Sequence, residues 1–303
     1  MHDPSRPASL LAAAALILVR QLGGEVQIYL LRRSPTSWFM PGVFVFPGGL
    51  VDAGDFEGGF WKGHVDLEPE RVVDRLGQGL GYSDALSYGI AAIRETFEEA
   101  GVFLASLFTS TAAAMERAHQ WRLRESPRKG WFRQLVESGA WSLALSALYH
   151  WAHWITPVGM PRRFDTRFFM AAMPEGQNCR PDQREATEGI WLSPRQALAA
   201  NVDGRVPLSP PTLVTLQELL SCPTLERLQY EAGRRGRGAP IFPRLISLED
   251  NRGAVIIEPW DPLYGAETIR IDTEKLSASV LPAGEPFSRL WNDRGVWKPV
   301  SLS

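Results

Sequence analysis

Three glutamates, Glu95, Glu98 and Glu99, fall within one turn of a segment, DALSYGIAAIRETFEEA, whose pattern predicts an α-helix. At about 100° per residue, with Glu95 at zero, Glu98 falls near roughly 300° and Glu99 near about 40°, so the carboxylates share one arc. Leu86, Ile90, Ile93 and Phe97 gather between roughly 160° and 220°, almost directly opposite. Such a helix lies on a core and holds three acids over a site. The clustering carries two penalties. Like charges three or four apart cost about 0.2–0.5 kcal/mol per pair, and the acids sit at the helix C-terminus, before Gly101, where the dipole disfavours negative charge. A bound divalent cation removes both, and carboxylate oxygens are hard donors suited to magnesium or manganese. A solvated acidic face is the competing reading, and the helix geometry leaves the two open.

The stretch FPGGLVDAGD sharpens the choice. Phe44-Val45-Phe46 is a short strand, which places Gly48 and Gly49 on a loop at its end, where a ligand can approach the backbone closely. Asp52 and Asp55 add two acids. A double glycine carries little alone; beside the acidic helix it is a wall for a phosphate held by a metal. Asp52 is either a loop cap or an outer-shell ligand.

The rest of the chain must position these groups. Residues 12–20 and 26–32 are two strands of a hairpin turning at Gly23-Gly24. PERVVDRLGQGL is a helix, Ser83 the N-cap of the acidic helix and Gly101 its C′ residue, with Gly89 an interior cost of about 1 kcal/mol against alanine. Helix returns at about 110–125. Strands follow at HWITP, RRFDTRFFMAAM and GIWLS, then helices PRQALAA and TLVTLQELL, the second introduced by Pro207, Pro210 and Pro211. Past residue 225, PRLISL, GAVIIEP and AETIRIDT are strand candidates.

With 303 residues, 45% hydrophobic and 22% charged, the chain has the composition of a soluble globular protein of one large or two modest domains. A net charge of −2 and clusters no larger than Arg32-Arg33, Arg162-Arg163 and Arg234-Arg235 with Arg237 are too little to imply nucleic-acid binding, and no nucleic-acid partner is expected. They suffice for a small phosphorylated ligand. Cys179 and Cys222 form neither a disulfide framework nor a zinc site, which points to reduced thiols in a cytoplasmic protein. The apolar run Leu10 to Val19 is too short for a bilayer and is read as the opening strand, so no membrane association is expected.

Taken together, Arg94-Glu95-Thr96-Phe97-Glu98-Glu99-Ala100-Gly101-Val102 resembles the second half of a Nudix box, with Thr96 at a usually aliphatic position. Gly49, five residues, then Asp55 resembles the first half, with aspartate for the family's glutamate. Between Asp55 and Arg94 lie 38 residues, 56–93, where the family has seven. A Nudix subgroup carries a long insertion here and includes a mammalian peroxisomal enzyme that splits coenzyme A and its thioesters. LLRRS, VFPGG, WAHWITP, PRRFDTRFFMAAMP and PLSPPTLVTL are similar to that subgroup's segments, over roughly residues 12 to 220. The ending Ser301-Leu302-Ser303 is no peroxisomal tripeptide, so that location is not expected.

The resemblance implies an α+β fold, an α/β/α sandwich with a mixed central sheet. Residues 8–224 would form the hydrolase domain, with an insertion at about 56–82 and a helical elaboration at about 105–148. Residues 225–303 would be a β-rich extension, packed on the main domain or serving a second subunit; a homodimer is compatible with this. The implied activity is Nudix diphosphohydrolase, water attacking phosphorus in a nucleoside diphosphate derivative. Coenzyme A or acyl-CoA is the first candidate, giving 3′,5′-ADP and a 4′-phosphopantetheine product. ADP-ribose, NADH or another conjugate is the alternative, as is a catalytically degenerate binding module.

The same resemblance makes Glu98 and Glu99 the principal Mg²⁺ or Mn²⁺ ligands, Glu95 a further ligand or base, and the Gly48 carbonyl another oxygen. Many relatives draw one more acid from a distant loop, here Glu185 or Glu188, with Glu185 favoured as ligand or general base. Arg94 is read first as a partner of Asp55 that fastens loop to helix, and second as a catalytic contact. One of Arg32 and Arg33 would bind substrate phosphate. Arg163 and Arg167 share a strand face with Asp165, and that face either reads a 3′-phosphate or the adenine ribose or is a surface ion-pair ladder. His153 is expected to be a hydrogen-bonded structural residue, and Trp38 a stacking group or core.

Overall fold

The computed structural model describes residues 9–77, 79–106, 112–125, 128–236, 238–249 and 253–301, so Arg237 lies outside the described residues. Chain geometry starts from the opening hairpin. Strand β1 (Leu10–Leu22) turns at Gly23 and Gly24, both at positive φ as a type I′ turn requires, into β2 (Glu25–Arg33). Along β1, Leu16 and Leu18 face one apolar cluster while Ala15, Ile17 and Val19 face another. Both faces are covered, which is why the strand reads as a nearly unbroken apolar run.

Short strands β3 (Phe44–Val45) and β4 (Gly48–Leu50) follow. Gly48 and Gly49 are therefore in a strand paired antiparallel to Ala13–Ala15, and not on the loop expected from the sequence. Residues without side chains are needed in that pairing, because a Cβ on Gly48 would strike the Ala14–Ala15 backbone opposite. Helical turns α1 (Gly58–Trp61) and α2 (Pro69–Val72) carry the insertion to α3 (Tyr82–Ala100), the acidic helix. Only four residues of the expected 69–80 helix are α, and the chain widens into a π-turn through Gly77. The cap of α3 is Gly81 and not Ser83. Its C-terminus ends as expected, with Gly101 left-handed at φ 71°. Gly89 is a contact, since a Cβ there would press on Leu76 Cδ1 at 2.8 Å and Leu145 Cδ2 at 2.9 Å. The insertion packs on the helix through that gap.

Strands β5 (Ala105–Ser106) and β6 (Ser142–Leu143) pair around helices α4 (Ala112–Glu125) and α5 (Trp131–Gly139). Then come β7 (Tyr149–Ile155), β8 (Arg163–Ala172) and β9 (Ala186–Leu192), and helices α6 (Pro194–Val202), α7 (Pro210–Leu219) and α8 (Leu225–Arg234). The central sheet runs β3-β2-β1-β8-β7, with β4 on β1 and β9 on β2; β1 and β8 are parallel and the other pairs antiparallel. One side carries α3, the insertion and α5, through Phe97, Trp61 and Phe132. The other carries α6, α7 and α8, through Leu198, Leu216 and Leu228. This is a mixed α/β sandwich with a helical insertion and a C-terminal sheet, the architecture that the resemblance implies. Among the described residues, no helix is long and apolar enough to cross a membrane.

The tail forms a four-stranded sheet of β10 (Arg244–Ser247), β11 (Ala254–Ile257), β12 (Arg289–Asp293) and β13 (Val296–Pro299). AETIRIDT is not one of its strands; Ile269 and Ile271 pack on the sheet from an irregular segment. The sequence reading missed the β12–β13 hairpin, whose turn carries Arg294 at φ 52° and Gly295 at φ 92°, and also α8. Ile256, Leu290 and Trp297 join the core of the main sheet, and Ile241 bridges to Trp154 on β7.

Within this extension Glu258 is fully buried, and neither carboxylate oxygen has a hydrogen-bond partner. Burial pushes its pKa up to about 8. Between the ordinary carboxylate range and pH 8 the folded chain holds a proton that the unfolded chain releases, so stability falls as pH rises. Each pH unit in that window costs up to about 1.4 kcal/mol. Glu258→Met is expected to raise the melting temperature more at pH 8 than at pH 5; an equal gain at both, in thermal denaturation across that range, contradicts this.

Candidate active site

Arg94 holds the site together. It is almost fully buried, and its guanidinium grips Asp55 with two hydrogen bonds, Nε to Oδ1 at 3.0 Å and Nη2 to Oδ2 at 2.8 Å. Nη2 also donates to the Leu50 carbonyl at 2.7 Å, while Nη1 reaches Glu95 Oε1 at 2.6 Å and lies 3.8 Å from Glu98. Asp55 in turn accepts from the Asp52 N–H at 2.7 Å. The aspartate therefore reaches despite being one methylene short and 39 residues away in sequence, because the insertion leaves and returns beside α3. Asp52 lies 4.0 Å from the guanidinium and caps the turn Ala53–Phe56. Burial lowers the charged state of Arg94 less than Glu95 and Asp55 raise it, so its pKa is raised overall.

This clamp presses β4 onto the acidic face of α3. Glu99 is buried, and its Oε2 accepts the Gly48 N–H at 2.9 Å. Glu95 lies flat against Gly49, where a Cβ would come within 2.5 Å of the Glu95 Cδ. A Cβ on Gly48 would collide with the Ala14 carbonyl. The glycines are required because carboxylates and strand backbone occupy the space a side chain would take. Burial, opposed by Arg94 and reinforced by Glu98, pushes Glu95 up to about 7. Glu99 is pushed well above the usual carboxylate range, by burial first and then by Glu95; Glu185 adds to this, while the Gly48 N–H and Arg33 oppose it.

The expected dipole penalty at the end of α3 is met from elsewhere. Arg122 on α4 donates to the Phe97 and Glu98 carbonyls at 3.0 and 3.1 Å and to the Arg180 carbonyl at 3.0 Å. A cation thus sits at the negative end of the helix, supplied by a different element. No sequence signal pointed to it. Asp182 was also missed; it accepts the N–H groups of Arg184, Glu185 and Ala186 at 3.2, 3.1 and 2.9 Å and shapes the loop that carries Glu185. An aspartate followed within four residues by that acidic loop is the signal that was there to read.

A cavity of about 1230 Å³ opens over these groups, lined among others by Gly48, Gly49, Arg94, Glu95, Glu98, Glu99, Asp182 and Glu185. The candidate acids separate cleanly. Glu185 lines the cavity, whereas Glu188 pairs with Arg32 at 3.6 Å outside it, opposite in the β2–β9 register. Alternation on β2 sorts the arginines likewise. Arg33 lines the cavity, holding the Phe39 carbonyl at 3.0 Å and the Ser37 hydroxyl at 3.0 Å, and Arg32 turns away. On β8 the lining residues are Phe164, Thr166 and Phe168, so the face bearing Arg163, Asp165 and Arg167 points elsewhere. The readings of Arg32, Arg163, Arg167 and Glu188 as ligand-facing are corrected by this alternation. Arg163 donates to the Thr156 carbonyl at 3.0 Å, and Asp165 contacts His153 Nε2 at 2.6 Å, so His153 is hydrogen-bonded within the sheet. Trp38, largely exposed, lines the cavity with Arg162 over its ring at 5.1 Å.

The donor set matches a hard divalent cation in its chemistry: carboxylates only, crowded so that burial and mutual repulsion disfavour their charge. Among the described residues no group of three or more acids, histidines or cysteines is arranged as a metal-holding cluster. Arg94 and the Gly48 N–H already hold an oxygen of Glu95 and of Glu99.

Residues 6–219 match the family model described as the NUDT19 Nudix domain. An acyl-coenzyme A diphosphatase NUDT19 from Gallus gallus is 27% identical, the match covering 88% of this chain and 82% of that protein. The Homo sapiens protein of the same name is 29% identical over 87% and 80%. Among solved structures, a NUDIX hydrolase from Alicyclobacillus acidocaldarius shares the fold, with a TM-score of 0.61 at 23% identity over 77% of this chain and 99% of that one.

Two outcomes are expected from this geometry. Gly49→Ala displaces the Glu95 carboxylate and should lower turnover by about 100-fold, the scale of an ångström of misplacement, with the circular dichroism spectrum unchanged. Asp55→Ala leaves Arg94 without its main partner and should cost about 3 kcal/mol in urea denaturation; a loss below about 1 kcal/mol would show that the clamp is dispensable.

Proposed function

Since this chain belongs to the NUDT19 Nudix domain family and is a diphosphohydrolase, we propose that its substrate is coenzyme A or an acyl-CoA, cut at the diphosphate to 3′,5′-ADP and (acyl-)4′-phosphopantetheine. The observation that carries the chemistry is the seam where Glu95, Glu98 and Glu99 meet the Gly48–Gly49 backbone on the cavity wall. The coenzyme A assignment is supported by the names of the relatives, acyl-coenzyme A diphosphatases in birds and mammals.

Glu95, Glu98 and Glu99 would hold Mg²⁺ or Mn²⁺, with the Gly48 carbonyl and Glu185 at the margin. Bound there, the cation supplies charge neutralisation for the non-bridging phosphate oxygens and a lower barrier to attack by water. The chain's own groups do the rest. Arg94 fixes the acids and is a positioning residue, since the groups it touches are Asp55, Leu50 and Glu95. Arg33, beside Glu99, holds the 37–39 loop and presents a cation to substrate phosphate. Glu185, on the Asp182-shaped loop that lines the cavity, would take the proton of the attacking water. Residues 8–224 are the hydrolase domain in this proposal and 225–303 an extension packed upon it. The free thiols of Cys179 and Cys222 support a cytoplasmic setting.

Product analysis with CoA, ADP-ribose and NADH, each with magnesium or manganese, tests the reading. CoA should be cleaved fastest and yield 3′,5′-ADP. A preference for ADP-ribose overturns the substrate, and no turnover of any diphosphate by folded protein favours a binding module. Glu98→Gln keeps size and removes charge, so kcat should fall at least about 100-fold with the fold intact.

A further inference from the structure

The cavity is sorted by chemistry along its length. Starting at the acids and moving across the sheet, its floor passes from Gly48 and Gly49 on β4 to Ala13–Ala15 on β1, then to Phe168 on β8 and Trp154 on β7. Three strand steps span about 14 Å. Over that distance the lining grows from bare backbone to methyl groups to large rings, while the charged alternates on β8 all face the other way. The far end is closed by the C-terminal extension. Ile241 bridges to Trp154, which brings Pro243 to the edge, and Ile256 and Trp297 complete the wall. On the opposite side of the acids Arg128 and Lys129 line the cavity just ahead of α5, which packs in the layer of α3, whereas Arg162, the cation beside the aromatic lining, is stacked on Trp38 and Phe164.

A substrate with a polyanionic arm and an oily arm joined at a diphosphate has one orientation in such a cavity. We propose that the apolar end walled by Phe168, Trp154, Ile256 and Trp297 holds the acyl–pantetheine arm, so that the C-terminal extension is a specificity element of the active site. The phosphorylated nucleotide then lies toward Arg128 and Lys129. This assignment rests on the coenzyme A reading. It explains why the extension shares a core with the main sheet: the wall of an acyl pocket has to be apolar and held rigidly against the strands that form its floor.

Ile256→Phe adds bulk at the closed end, and Met160→Asp puts a charge on a half-buried lining residue where folding is less exposed to risk. Both are compared with the unaltered protein on CoA, hexanoyl-CoA and lauroyl-CoA, by kcat and KM with magnesium and by calorimetric binding in chelator. The unaltered protein should bind lauroyl-CoA at least tenfold more tightly than CoA. Each variant should erase that difference, weakening lauroyl-CoA binding at least tenfold and CoA binding by a smaller factor. An equal shift across all three ligands, or no dependence on chain length in the unaltered protein, overturns the pocket assignment while CoA turnover leaves the hydrolase reading standing. Chain-length-dependent binding without turnover does the reverse. If Ile256→Phe fails to fold, Met160→Asp decides.

Discussion

One buried ion pair ties the turn that follows β4 to the acidic helix, and the site's geometry depends on it. Arg94 and Asp55 lie on segments separated by an insertion that any flexible linker could have let drift apart. Their two-point contact, with the Leu50 carbonyl as a third anchor, fixes where β4 meets α3. A buried guanidinium is costly without partners, so the same interaction that orders the loop makes its dissolution expensive. Asp55 itself is disfavoured by burial, and its charge is sustained largely by Arg94.

That clamp carries a second, less comfortable arrangement. Three carboxylates crowd one turn at the wrong end of a helix dipole, and two of them are pushed toward the neutral acid. The protein tolerates this with local devices: the Gly48 N–H on Glu99, the Arg94 contact to Glu95, and Arg122 across the last carbonyls of α3. None of them cancels the crowding entirely. A site held this way is poised for a ligand that brings positive charge, which is the physical link between the helix end and diphosphate chemistry.

The helix layer and the C-terminal sheet divide the labour around the catalytic seam. The insertion and α5 bury the apolar side of α3 through Trp61, Phe97 and Phe132. The extension instead joins the opposite face, through Ile256, Leu290 and Trp297. Cavity walls consequently come from parts of the chain that are far apart in sequence.

Local pattern determined the elements and the acids. Period-3.6 spacing placed Glu95, Glu98 and Glu99 on one face of α3, apolar runs about a Gly-Gly turn gave β1 and β2, alternation gave β8, and Gly101 ended the helix, because each of these depends on neighbours within a few residues. The pairing of Arg94 with Asp55 was also legible, though only through the resemblance that aligned the two halves of the motif. Tertiary structure decided what alternation left open, namely which face of each strand looks into the cavity. That choice admitted Arg33 and Glu185 and turned away Arg32, Glu188, Arg163 and Arg167, since a strand shows both faces to its sequence and only packing says which one is the floor. It also supplied Arg122 from a distant helix and turned Gly48 and Gly49 into a strand. The wall of Ile256 on β11 and Trp297 on β13 likewise depended on contacts that span the chain, and such contacts leave no periodic trace in the residues that make them.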